Sequence, residues 1–135
     1  MSSSYFEYGA DIGIIGRGLT LEQSFEAAAH AVFAVITNIE AVQPLTSLEI
    51  EFEESDPELA LVVWLNQILR KSRDSGMVFG HFYVHRENNH WHGKILGEPW
   101  RDGLERGVEI KRATLAMLSI KQAGPIWESR CVVGV

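Results

Sequence analysis

One cysteine, four prolines, no long apolar run and a deficit of cations set the first limits on this 135-residue chain. Cys131 has no partner, so an internal disulfide and any multi-cysteine metal site are excluded. Its place near the end of an apolar strand marks a small core residue rather than a nucleophile. No stretch reaches the roughly 20 apolar residues that a bilayer crossing needs, and Met1-Ser-Ser-Ser lacks the basic-then-apolar layout of a secretion signal. A cytoplasmic location without membrane contact is the resulting expectation. Twelve Lys and Arg against eighteen Asp and Glu leave a formal charge of -6, which repels phosphate backbones on average and makes direct nucleic-acid binding unexpected. The local exception is Arg70, Lys71 and Arg73, at the end of an expected helix, where cations stabilise the C-terminal dipole.

Catalytic motifs are missing as well. The run GIIGRG has neither the lysine of a P-loop nor the spacing of a dinucleotide loop, and its glycines are expected to serve a turn. No serine stands in GxSxG or at a recognisable spacing from a histidine and an acid. Catalytic residues are therefore not assigned. There is no internal repeat and no low-complexity linker, so residues 1–135 are expected to form one domain, of a size that buries roughly two-thirds of its unfolded surface.

What is present is clear hydrophobic patterning. Alternation from Tyr5 to Ile15 predicts a strand that Gly16-Arg17-Gly18 breaks, with Asp11 on its less apolar face. Thr20 and Gln23 stand at capping-box spacing, and Leu21, Phe25, Ala28, Val32 and Val35 continue at helical intervals to about Ile36. Leu48, Ile50 and Phe52 alternate with Glu49, Glu51 and Glu53, a half-exposed strand. Asp56-Pro57 opens a second helix to about Ser72, apolar over more than half its circumference and so expected to be the more buried of the two. Strands follow at Val78–Arg86, Trp91–Leu96, Val108–Leu118 and Trp127–Val133. The order predicts an α+β fold, a mixed or antiparallel sheet with two helices packed on one face. Trp64 and Trp91 are expected in the core, and Trp100, after Gly97-Glu98-Pro99, is expected to be the most exposed tryptophan.

The histidine-rich hairpin HFYVHRENNHWH turns at Asn88-Asn89, which sets Glu87 opposite His90 and His85 opposite His92 on one outward face. Phe82, Val84, Trp91 and Ile95 take the core face. Two imidazoles and a carboxylate on one face are the donor types of a transition-metal site, although alternating exposed polar residues are the ordinary condition of a hairpin.

In their order along the chain these features resemble the archease family. Tyr8-Gly9-Ala10-Asp11-Ile12-Gly13 is similar to that family's opening His-Thr-Ala-Asp-Ile-Gly, and Leu21-Glu22-Gln23-Ser24-Phe25-Glu26-Ala27-Ala28-Ala29 to its first helix. Trp64-Leu65-Asn66, Val78-Phe79 and Gly97-Glu98-Pro99 match later segments in order. The resemblance implies an archease-like single domain. It further implies a non-enzymatic accessory protein that promotes guanylation and turnover of a tRNA-splicing RNA ligase of the RtcB type. It also implies a calcium site made by Asp11 and an aspartate near the C-terminus. That second position is Gly134 here, which leaves the terminal carboxylate of Val135 and Glu98 as remaining oxygen donors, with His85, His90 and His92 as separate metal candidates. Tyr8, Gly9 and Thr114-Leu115-Ala116 also depart from the family pattern, the last replacing Thr-Tyr-His. Calcium takes six to eight oxygens, so weak or absent binding is expected. Two alternatives follow: a diverged module of the same fold without ligase activation, and a metalloprotein of the histidine hairpin.

Overall fold

The structure is a computed structural model that describes residues 2–135; of the expected single domain, only Met1 lies outside the described residues. Strand β1 (Ser2–Tyr8) turns through Gly9-Ala10 into β2 (Asp11–Gly18), and helix α1 (Leu21–Ile36) follows. After a short 3-10 turn at Ile39–Ala41 come β3 (Thr46–Glu53), α2 (Pro57–Ser75), β4 (Met77–Glu87) and β5 (His90–Pro99). The chain closes with β6 (Arg112–Ala113), β7 (Ser119–Ala123) and β8 (Ile126–Gly134). All pairings are antiparallel, and they form two sheets. One has the order β1-β2-β8-β6 with β7 also on β8; the other has the order β3-β5-β4. The α+β class stands, with the expected sheet divided in two.

That division follows from α1. Its small residues Ser24, Ala27 and Ala28 lie flat on the first sheet, where a Cβ built on Gly16 would come within 2.2 Å of the Ser24 carbonyl oxygen and 2.3 Å of the Ala28 nitrogen. Its opposite side meets the second sheet: Phe25 stacks on Trp91 at 4.8 Å, and Phe33 packs against Phe79 and Phe82. Nine of its 16 residues are buried against six of 19 in α2, so the expected ranking of the two helices is reversed. Alanines carry little hydrophobic signal, yet they allow a helix to approach a sheet at backbone distance. Gly16 and Gly18 therefore lie inside β2 rather than in the expected turn, and the turn is at Gly9, whose φ of 59° suits glycine.

The caps act largely as their spacing predicts. Thr20 accepts the Gln23 N–H at 3.0 Å, while the Gln23 side chain reaches the Leu19 N–H, one residue before the expected partner. Asp56 accepts the Glu58 N–H at 2.9 Å, and α2 runs to Ser75, where Gly76 ends it with a φ of 69°. The Trp64-Leu65-Asn66 segment ties α2 to both neighbours. Trp64 donates its indole N–H to the Phe25 carbonyl at 3.0 Å, and Asn66 exchanges two hydrogen bonds with the backbone of Ala113.

The expected strand Val108–Leu118 is the largest departure, since only Arg112–Ala113 pairs in a sheet. Gly107 and Val108 instead donate their N–H groups to the carbonyls of Ile36 and Val35, the open end of α1. Residues 114–118 form a turn clamped to Val132, whose carbonyl accepts from both the Thr114 hydroxyl and the Thr114 N–H. Trp100 is half-buried, as is Trp127, and the Arg106 guanidinium lies 4.1 Å above the Trp100 ring. Cys131 is fully buried, and burial pushes its thiol up to about 12. It is a core residue.

Candidate functional site

Asp11 opens β2 directly after the Gly9-Ala10 turn, at the end of the first sheet where β8 finishes. The pairing of Ile12 with Val133, continued by one residue, sets Asp11 opposite Gly134. The Val135 N–H donates to Asp11 Oδ1 at 3.2 Å. β2 and the residue that follows β8 are thus joined through this carboxylate. Beside it, a cavity of about 340 Å³ is bounded by Tyr5, Phe6, Glu7, Asp11, Val35 and Val108, among others. Tyr5 is 61% exposed, and Tyr8, Val108 and Val135 are each about 40% exposed, so the acid sits beside a patch of apolar surface.

The remaining proposed ligands do not join this site. Glu98 belongs to the other sheet, on β5, and is buried; Arg101 donates to its Oε1 at 2.7 Å and the Gln43 N–H to its Oε2 at 2.7 Å. Those two donors hold its carboxyl below the usual carboxylate range, the guanidinium being the larger cause. A group with a depressed folded pKa stabilises the fold above its unfolded pKa, and the contribution disappears as pH falls through the folded value. The urea midpoint of Glu98→Gln should therefore lie below wild type at neutral pH. The gap should close on acidification below about pH 4, where an ordinary glutamate protonates.

The hairpin has the expected register, with His85 opposite His92 and Glu87 opposite His90, and Asn88 at a φ of 56° in the turn. The expected core face is buried throughout. The two imidazoles on β5, His90 and His92, are engaged by the acidic face of β3, whereas His85 stands exposed on β4, on the far side of β5 from that face. His90 Nδ1 contacts Glu53 at 2.5 Å and Nε2 faces Glu51 at 3.5 Å, while His92 Nε2 contacts Glu49 at 3.2 Å. The Glu53 hydrogen bond is the main cause that raises the pKa of His90. Among the described residues, no three His, Cys, Asp or Glu side chains converge as a metal ion requires.

The same test applies to calcium at Asp11. One side-chain carboxylate, already accepting a backbone N–H, and one terminal carboxylate supply at most four oxygens, fewer than the six to eight that calcium takes. The residues present do not fit a calcium ion of the affinity that a complete acidic site would give. Among the described residues one hydroxyl meets a base, Ser3 Oγ at 2.9 Å from His30 Nδ1, and no acid pairs with that imidazole; the buried Ser24 hydroxyl bonds Ser129 and the Leu21 carbonyl, and the Cys131 thiol is held neutral by burial. Sequence reasoning located Asp11 and the chain end but missed Tyr5, Phe6, Val35 and Val108. They come from three distant segments, and no spacing signal connects them.

A central helix held between two antiparallel sheets, with an acid at the junction of the first hairpin and the last strand, defines a small α+β protein. The sequence pattern of the Archease protein family (MTH1598/TM1083) matches residues 4–135, and the chain belongs to that family. It is 40% identical over 123 residues to the protein archease of Pyrococcus furiosus, covering 87% of each chain. It is 34% identical over 134 residues to that of Sulfolobus acidocaldarius, covering 97% of this chain and 96% of the relative. Among solved structures, Methanobacterium thermoautotrophicum protein 1598 superposes with a TM-score of 0.83 at 26% identity, covering 99% of each chain. A Thermotoga maritima protein described as an archease and possible chaperone superposes with a TM-score of 0.69 at 20% identity, covering 96% of this chain and 94% of that one, and so supports the fold alone. No described helix is long and apolar enough to cross a membrane.

Proposed function

We propose that this chain is a non-enzymatic accessory protein in tRNA processing. It acts by direct contact on an RNA ligase of the RtcB type and promotes guanylation and turnover of the ligase, with little or no dependence on calcium. The observation that carries this reading is membership of the archease family over residues 4–135. The apolar surface around Asp11 supports it, since Tyr5, Tyr8 and Val135 are exposed beside an acid in a way that suits a protein partner. The negative net charge favours a protein rather than RNA as that partner. A cytoplasmic site of action accords with this role.

A second reading, a diverged module of the same fold without ligase activation, is favoured by Gly134 and by the turn at Thr114-Leu115-Ala116, which stand where the family's aspartate and Thr-Tyr-His are expected. One assay separates the two. With the cognate ligase, GTP and a fixed divalent ion, substoichiometric wild-type protein should speed ligase guanylation at least severalfold. Absence of both binding and stimulation, unrelieved by Gly134→Asp with Ala116→His, would leave the module reading in place.

A further inference from the structure

A second cavity, of about 410 Å³, lies on the side of the molecule where α1 and α2 end. Its walls include Leu69 and Ile110, both buried, and the half-buried Trp100. Its charged groups are Arg73, Arg106 and Glu109, so the lining carries a net positive charge in a chain whose formal charge is -6. The surrounding sequence has the same bias. Segments 70–74 and 101–112 hold seven of the twelve Lys and Arg but only four of the eighteen Asp and Glu.

Neither arginine has an acidic partner: the ion pairs of the described residues join Arg17 to Glu128, Arg101 to Glu98 and two histidines to glutamates. Arg73 donates one N–H to the Lys111 carbonyl at 2.9 Å, which leaves most of its five donors free. Attraction to the C-terminal dipole of α2 is enough to account for its position. Arg106 has no such reason. It comes from a loop outside either helix and is held by the Trp100 ring 4.1 Å below its guanidinium carbon. A flat guanidinium laid on an indole keeps its edge N–H groups directed outward and its second face open to another planar group.

We propose that this cavity binds a small phosphate-bearing ligand with a planar aromatic body, of the nucleoside monophosphate class. The two guanidinium forks take the phosphate oxygens, and the planar group stacks on the Arg106–Trp100 pair. The volume lies within the range of roughly 300–1,000 Å³ typical of small-molecule sites and suits one nucleotide. This site is separate from Asp11 and does not depend on any action on a ligase.

The test is a titration of the 15N-labelled full chain with adenosine monophosphate, followed at the Trp100 indole N–H and at the amides of 106–110. Adenosine, inorganic phosphate and benzoate serve as comparison ligands. Saturable shifts with the nucleotide, at least about tenfold weaker binding of phosphate or adenosine alone, and loss of binding in Arg73→Ala with Arg106→Ala are expected, since hydrogen bonds to charged groups are the strong contacts here. If that double variant does not fold, Arg73→Lys with Arg106→Lys keeps the charge and removes the planar forks, and should still weaken binding severalfold. Several results would overturn the proposal. They are no saturable shift by millimolar nucleotide, benzoate or bare phosphate binding as tightly as the nucleotide, and unchanged affinity in the folded variant.

Discussion

Gly16→Ala should destabilise this protein by roughly 3 kcal/mol or more, a larger loss than most single core truncations of one methyl produce. The added carbon would stand 2.2 Å from the Ser24 carbonyl oxygen, 2.3 Å from the Ala28 nitrogen and 2.9 Å from the Ala27 carbonyl carbon. All three are backbone atoms of one buried helical stretch, so no side-chain rotation can relieve the overlap. Relief requires α1 to move away from β2. That movement would strain the Ser24–Ser129 hydroxyl pair at 2.6 Å and press the other side of the helix on Trp91, Phe79 and Phe82. Thermal unfolding should fall by roughly 10 °C or more for a domain of this length. Two other glycines calibrate the result. Gly9→Ala meets no atom within 4 Å but must hold a φ of 59°, which costs about 1–2 kcal/mol. Gly134→Ala has nothing nearer than the Arg112 carbonyl oxygen at 3.8 Å and should be close to neutral. A Gly16→Ala protein as stable as Gly134→Ala would show that α1 does not lie against β2 at backbone distance.

These glycines also show where the sequence was legible and where it was not. Elements with strong periodicity or cap chemistry were readable: the Glu-alternating strand β3, the Asp56-Pro57 start of α2, and the hairpin at Asn88-Asn89. Each is encoded within a few neighbouring residues. GIIGRG was misread because glycine in a loop and glycine beneath a helix look alike until the helix is placed. The run from Tyr5 to Ile15 reads as one strand because the turn between β1 and β2 is only the two residues Gly9-Ala10. Val108 and Ile110 alternate as a strand would, but the N–H groups of Gly107 and Val108 are taken by the end of α1, a demand made from about 70 residues away in the chain. The division between local and distant determinants is the same at the site. Asp11 and Gly134 were visible through family motifs, whereas the apolar surface around them is assembled from the first hairpin, the last turns of α1 and Val108 in the loop before β6.

Gly134→Asp is expected to create a stronger divalent-cation site than the native residues supply. The pairing of β2 with β8 sets residue 134 opposite Asp11 on one face, and side chains opposed across an antiparallel pair have Cβ atoms about 4.5–5.5 Å apart. Two carboxylates at that separation, joined by the C-terminal carboxylate of Val135, would supply three anionic groups and up to six oxygens, within the range that calcium accepts. Space is available, since a Cβ at 134 touches nothing closer than 3.8 Å and the position has no positive φ to strain the new residue. The same proximity predicts a cost without metal. Like charges directly opposed on a sheet repel, so the variant should unfold at a lower temperature than wild type in chelator and recover when calcium is added. Calorimetry should detect calcium binding in the sub-millimolar to millimolar range typical of open, few-ligand sites, against none or far weaker heat for wild type. Adding Asp11→Ala to the variant should abolish the gain, because the new aspartate alone is one carboxylate on an exposed strand end. Calcium heats that survive removal of Asp11 would place any bound ion elsewhere. Equal heats in wild type and Gly134→Asp would mean that Asp11 and the terminal carboxylate already complete the site.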